Sequence, residues 1–195
     1  METNYQRVNG VNGSSLPQLC QLLDAFKVEN SKVGSVVIDG DLVEMRVVII
    51  TQGLAKKILS DYDNVKNRPL SKPHLEFLIK ECENNNWLFN ADTIRFDNNG
   101  QLIDGQHRLQ MIVETSRPLI YLVITGLDND SFKTIDTGKK RSGSDVFSIT
   151  GIPNSTQASA LVKFIYAFNN GRYSTNRATV RTLSNSEVLD YYYNY

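Results

Sequence analysis

Cysteine and histidine are scarce in this chain of 195 residues: two cysteines, Cys20 and Cys82, and two histidines, His74 and His107. The cysteines form no C-x-x-C pair, which argues against both a disulfide scaffold and a zinc cluster. Long apolar runs are missing too. The longest, Leu119 to Ile124, has six residues, far short of the roughly 20 that a spanning helix needs. The opening Met-Glu-Thr-Asn-Tyr lacks the basic-then-apolar layout of a signal peptide. These absences predict a soluble, cytoplasmic protein with no membrane partner. There is also no net charge, with 21 Lys+Arg against 21 Asp+Glu, which argues against indiscriminate coating of DNA. What is present is ordinary globular composition, 41% hydrophobic and 22% charged, enough for one cored domain with a small appendage.

The neutrality is a cancellation. Residues 131–181 carry eight bases (Lys133, Lys139, Lys140, Arg141, Lys163, Arg172, Arg177, Arg181) and two acids (Asp136, Asp145), a net charge of +6, while residues 1–63 carry six bases and eight acids. The 131–181 segment is therefore the stretch suited to DNA phosphates, or else a solvated mixed surface.

Along the chain, a turn-rich start through Ser15 precedes Leu16, Leu19, Leu23 and Phe26, which fall at helical spacing. Residues 36–50 read as a hairpin turning at Gly40-Asp41, and Thr51 as the cap of a helix through Leu54, Ile58 and Tyr62. After Ser71, the positions Leu75, Leu78, Ile79 and Cys82 share one helical face until Asn84-Asn85-Asn86 stops it. A second hairpin is expected over 93–103, with Asn99-Gly100 as a two-residue turn. A helix then starts at Asp104-Gly105, a strand runs over 119–124, and Ala158–Phe168 is helical. Ser184-x-x-Glu187 is a capping box for a last helix. Trp87 covers the edge of the core or stacks on a base. Both cysteines read as core, and His74 as a surface or capping residue.

The sharpest feature is Asp104-Gly105-Gln106-His107-Arg108-Leu109, a strand, a glycine break and a helix start. The first turn of a helix presents backbone N–H groups and a positive dipole end, which suit a phosphate. Gly105 permits close approach, and His107 and Arg108 add donors, Arg108 with a permanent charge. Asp104 repels a phosphate unless a cation lies between them, which suits Mg²⁺. The alternative is structural: Asp104 as an N-cap with Arg108 as its i+4 ion-pair partner.

The order helix, hairpin, Asp-Gly-Gln-His-Arg-Leu, helix, strand resembles the N-terminal domain shared by ParB partition proteins and sulfiredoxin, over roughly residues 47–150. In that superfamily a Gly-x-x-Arg element at a helix start holds nucleotide phosphates. The Asp-Gly-x-His-Arg form occurs in relatives that include a free-serine kinase, and the chain also looks like phage and plasmid ParB-like proteins. The resemblance implies that Gly105, Gln106, His107 and Arg108 bind phosphate. Asn67-Arg68-Pro69-Leu70-Ser71 sits at the first ParB box, making Arg68 a phosphate or base contact, or else a solvent-facing loop arginine. Thr134 to Ser142 sits at the third, where Asp136 would ligate the metal with Asp104 and Arg141 would meet a phosphate; the other reading is a charged turn. Gln106 stands where sulfiredoxin has its catalytic cysteine, which excludes sulfinic-acid reduction. Gln106 and His107 replace the Glu-Arg of ParB, which weakens any transfer of its CTP specificity. Residues 156–190 contain two helical stretches but no clear helix-turn-helix pattern, so specific DNA reading of the partition-protein kind is not expected.

The expected architecture is α/β, or α+β: a small mixed sheet with surrounding helices and a helical C-terminal part. The segments are a mobile start with an amphipathic helix (1–35), a nucleotide-binding domain (36–150) and a helical extension (151–195). The expected function is binding of ATP or another NTP, CTP being an alternative, with Mg²⁺ for phosphoryl transfer or hydrolysis. Asp104, His107 and Asp136 are then the catalytic candidates. Two other classes stay open: a DNA-binding or ParB-like nuclease module using 131–181, and a phage protein, alone or as a homo-oligomer, that binds a host protein.

Overall fold

The computed structural model describes residues 15–62, 69–135, 141–170 and 183–194. The chain divides into two compact units, residues 1–135 and 136–195. The first contains α1 (Leu16–Asp24), β1 (Gly34–Ile38), β2 (Asp41–Ile50), α2 (Gln52–Asp61), α3 (Lys72–Glu83), β3 (Thr93–Asp97), β4 (Leu102–Asp104), α4 (Gln106–Thr115) and β5 (Leu119–Leu127). The strands form one five-stranded sheet in the order β1-β2-β5-β3-β4. β3 runs parallel to β5 and every other pairing is antiparallel. The unit is thus a mixed α/β layer structure, as expected from the sequence.

Local chemistry accounts for most boundaries. Thr51 Oγ1 accepts the Leu54 N–H at 3.2 Å and caps α2, leaving Leu54, Ala55 and Ile58 on its buried face. In β5 the buried residues Tyr121, Val123 and Thr125 alternate, and opposite them on β2 lie Val48, Arg46 and Glu44. One apolar core joins Leu19 and Leu23 of α1, Ile58 of α2, Leu78 and Cys82 of α3, Leu109 and Ile112 of α4, and Ile94, Phe96 and Tyr121 of the sheet. Trp87 packs against this core, its ring 6.3 Å from that of Tyr121.

Two turns differ from expectation. The first hairpin reverses at Asp39-Gly40, both at positive φ (52° and 94°), not at Gly40-Asp41. Ile38 and Asp41 close that two-residue loop, the left-handed pair that a type I′ turn requires. The second hairpin lacks the two-residue turn at Asn99-Gly100. Asp97, 3% exposed, accepts the N–H groups of Asn99 (2.9 Å) and Gln101 (2.8 Å) on Oδ1. Its own N–H bonds to the Gln101 carbonyl at 2.9 Å. The carboxylate thus lengthens the turn, and the pairing slips between Arg95↔Asp104 and Phe96↔Leu102.

Cys20 also departs from the core reading. Its Sγ faces Glu44 Oε2 at 3.5 Å and Thr125 Oγ1 at 3.9 Å, beside the buried Arg46, which pairs with Asp24 (2.8 Å) and Glu44 (3.1 Å). Burial pushes the Cys20 thiol up, with the Arg46 charge opposing. This polar set ties α1 to β2.

The second unit contains α5 (Gly143–Ile149), α6 (Ser155–Asn169) and α7 (Asn185–Asn194). α5, with only seven residues, lies beyond what the sequence pattern predicts. Ser142 and Asp145 start it reciprocally, the Ser142 N–H donating to Asp145 Oδ2 at 2.7 Å and the Asp145 N–H to Ser142 Oγ at 3.3 Å. The Ser184–Glu187 capping box is present, with bonds of 3.0 and 3.1 Å. Phe147, Ile152, Val162, Leu183 and Val188 form a second core, and Tyr192 and Tyr191 set their rings against Phe147 (5.1 Å) and Tyr166 (5.5 Å). No helix among the described residues is long and apolar enough to cross a membrane.

Candidate functional site

The loop from β4 into α4 is shaped by its glycine. Gly105 is the N-cap of α4 and has φ +108°, a conformation that L side chains rarely adopt. A Cβ there would lie 3.1 and 3.3 Å from the two γ-carbons of Ile94. The fold itself therefore demands glycine: the chain must turn left-handed and press against β3 as the helix begins.

Asp104 ends β4 directly opposite Arg95 of β3. Its Oδ2 accepts from Arg95 Nη1 at 3.0 Å and from Arg108 Nη2 at 2.9 Å. Arg108 Nη2 also donates to the Thr93 carbonyl at 2.7 Å, while its buried Nε has no hydrogen-bond partner among the described residues. One carboxylate is thus shared by two guanidiniums, leaving a local charge of one positive unit beside the positive end of α4. Near this group, burial drives the Tyr121 phenol far above its ordinary range, with the Arg108 charge opposing. The Tyr121 hydroxyl, like Arg108 Nε, is buried without a partner among the described residues.

His107 is 8% exposed. Its Nε2 accepts the backbone N–H of Ser71 at 2.9 Å, and its ring centroid lies 5.0 Å from that of His74. Ser71 is the N-cap of α3. Two helix starts, α3 and α4, therefore converge on this imidazole, and the only two histidines of the chain meet there. The bond makes Nε2 the acceptor, so the neutral ring carries its proton on Nδ1.

Of the predicted site residues, the structure brings together Asp104, Gly105, Gln106, His107 and Arg108. Arg68 and Asp136 lie outside the described residues. Arg141, in the helical unit, is exposed, and its carbonyl accepts from Asn185 Nδ2 at 3.2 Å. Of the eight bases in 131–181, Lys133, Arg141 and Lys163 are described, and Lys133 pairs with Asp130 at 2.7 Å. Arg95 was not foreseen from the sequence; His74, read as a surface or capping residue, is half-buried in the first turn of α3. Arg95 was within reach: counting outward from a turn at Asn99-Gly100 already sets residue 95 opposite residue 104.

The donor set fits a phosphate better than a metal. Two guanidiniums and a helix start are anion ligands. For a cation the described residues offer Asp104, whose Oδ2 is already held by both arginines, and among them no cluster of three or more His, Cys, Asp or Glu side chains forms. A cavity of about 300 Å³ opens elsewhere, lined by Cys82, Asn85, Trp87, Arg117, Pro118 and Leu119.

No family model matches the chain, and no curated protein does. Among solved structures, a Pnob8-like ParB-N domain is similar at 16% identity and a TM-score of 0.29, over 83% of this chain and 62% of that one. The chain thus spans about three fifths of that structure's length.

Proposed function

We propose that the β4–α4 loop binds the phosphates of a nucleotide, with ATP and CTP the first ligands to test. The observation that carries this is the placement of Asp104 Oδ2 between Arg95 Nη1 and Arg108 Nη2, at 3.0 and 2.9 Å, beside the first turn of α4. A carboxylate oxygen here occupies the kind of position that a phosphate oxygen takes between two guanidiniums. An incoming phosphate competes for the same donors and gains the N-terminal dipole of the helix as well. The resemblance of Asp104-Gly105-Gln106-His107-Arg108 to the phosphate element of ParB-like domains points to the same residues.

In this reading Arg108 and Arg95 are the phosphate ligands, Gly105 sets the backbone path and His107 holds two helix starts together. Mg²⁺ would arrive with the nucleotide, held chiefly by phosphate oxygens, and would supply charge neutralisation for phosphoryl transfer. The residues themselves bind and orient.

A thermal-shift screen of ATP, CTP, GTP and UTP, each with and without Mg²⁺, tests the proposal. A ligand at 100 times its Kd stabilises by about 2.7 kcal/mol, which moves the midpoint by several degrees in a domain of this size. The shift should disappear in Arg108→Ala with the unliganded midpoint still measurable. No shift with any of the four at millimolar concentration would discard the reading.

A further inference from the structure

β1 is an outer strand of the sheet, and among the described residues no second strand pairs with it besides β2. All five residues of β1, Gly34-Ser35-Val36-Val37-Ile38, are exposed, with Val37 66% and Ile38 51% accessible. β2 hydrogen-bonds one side of β1. The rest of that side of β2 is covered by the chain around Lys27, which bridges to Val48. On its other side β1 has no paired strand among the described residues. Proteins usually blunt such an edge with charge, proline or a bulge. This strand has none of the three, and its register to β2 is unbroken.

The hairpin register says which backbone groups are on offer. Ile38 and Asp41 close the two-residue loop as a hydrogen-bonded pair. Alternation then commits Ile38, Val36 and Gly34 to β2, and turns the N–H and C=O of Ser35 and Val37 outward.

We propose that β1 pairs antiparallel with β1 of a second copy of this chain, about a two-fold axis at Val36, extending the sheet across the dimer. In that register Ser35 of each copy faces Val37 of the other. These are the two residues whose backbone groups point out, so the pairs exchange four hydrogen bonds without disturbing β2. The charges agree as well. Lys32 of each copy comes opposite the Asp39-Gly40-Asp41 turn of the other, positive against negative at both ends, while the centre holds no charge. A parallel arrangement would set Lys32 against Lys32. A closed two-fold interface of this kind uses one patch twice. Pairing five residues gives a small interface, in the range of transient complexes.

Analytical ultracentrifugation of the full chain from about 1 µM to about 1 mM tests this, with Val37→Pro as the decisive variant. Proline at 37 removes an outward N–H and leaves the β2 ladder whole. The expected result is a monomer–dimer equilibrium weakened at least tenfold by Val37→Pro, with the circular dichroism spectrum retained. Val36→Cys supplies the second measurement, independent of how Val37→Pro folds. Facing residues at the axis form a non-hydrogen-bonded pair, about 4.5 Å between Cα atoms, close enough for a disulfide. Mild oxidation should give a covalent dimer from Val36→Cys and none from wild type. A monomer mass throughout, or a dimer that Val37→Pro leaves intact, or no cross-link through position 36, would overturn the proposal.

Discussion

The Ser71 backbone N–H donates to Nε2 of His107 at 2.9 Å. This bond joins the N-cap of α3 to the first turn of α4 through one of the two ring nitrogens. His107 therefore works in this structure as a brace between two helix starts. His107→Ala removes the acceptor of the Ser71 N–H, a bond worth about 0.5–1.5 kcal/mol net because Ser71 is exposed to water, along with the packing of a buried ring. Urea denaturation should show that loss. His107→Gln, which retains a carbonyl acceptor, should recover part of it. If instead His107→Ala kept full stability, the brace would be an incidental contact.

Asp104 distinguishes a phosphate site from a metal site. With its Oδ2 shared between Arg95 and Arg108, the carboxylate competes with any incoming anion. Asp104→Asn removes that competitor, and ATP affinity without Mg²⁺ should rise about tenfold, the size expected for one nearby charge in a partly screened site. The folded state should lose about 1–2 kcal/mol, because two guanidiniums are left without their shared counter-charge. Isothermal titration with and without Mg²⁺ measures the first, chemical denaturation the second. Loss of nucleotide binding confined to the Mg²⁺ condition would assign Asp104 to the metal instead.

How far the sequence reached depends on how local each feature is. The helices that follow Thr51 and Ser184 are written in their caps, and the strands in their alternation, so both were legible. Arg95 was legible in principle through hairpin counting, since the pairing of residues 95 and 104 survives the slip. The slip itself was hidden, because it depends on a buried Asp97 carboxylate taking two N–H groups, and asparagine-glycine alone carries no sign of that. The meeting of His74 with His107 required the packing of α3 on α4, which no spacing within either segment encodes. Cys20 sits on a helix with apolar neighbours, yet Arg46 from β2 turns its surroundings polar.

Gly105 provides a test of the loop free of any ligand. Its φ of +108° and the 3.1 Å approach that a Cβ would make to Ile94 Cγ1 act in the same direction. Gly105→Ala should destabilise by about 1–3 kcal/mol in denaturant unfolding at fixed m-value. Gly40 is also at positive φ, but a Cβ added there would meet nothing within 4 Å among the described residues. It is the control for the conformational part alone, and Gly40→Ala should cost less. Equal costs at the two positions would mean that contact with Ile94 contributes nothing.

Tyr121 is 1% exposed, and its hydroxyl is buried without a hydrogen-bond partner among the described residues. Burial raises the energy of the ionised phenol, and so pushes its pKa up. The neutral hydroxyl also loses its water on folding and gains no partner, at a cost of about 1–3 kcal/mol relative to a satisfied group. Tyr121→Phe keeps the ring that packs on Trp87 and deletes only that oxygen. The variant should therefore be as stable as wild type or more stable by up to about 1 kcal/mol, against the usual destabilisation for a change at a fully buried site. The sign with pH follows from the raised value. In wild type the ionised phenol is favoured in the unfolded chain, so stability falls as the solution passes above the ordinary tyrosine range of about 10. Tyr121→Phe should lose that part of the alkaline decline. Thermal melts at neutral pH and again near pH 11 separate the two effects. A clear loss of stability at neutral pH would mean that the hydroxyl has a partner after all, and the nearby Arg108 would be the first group to examine.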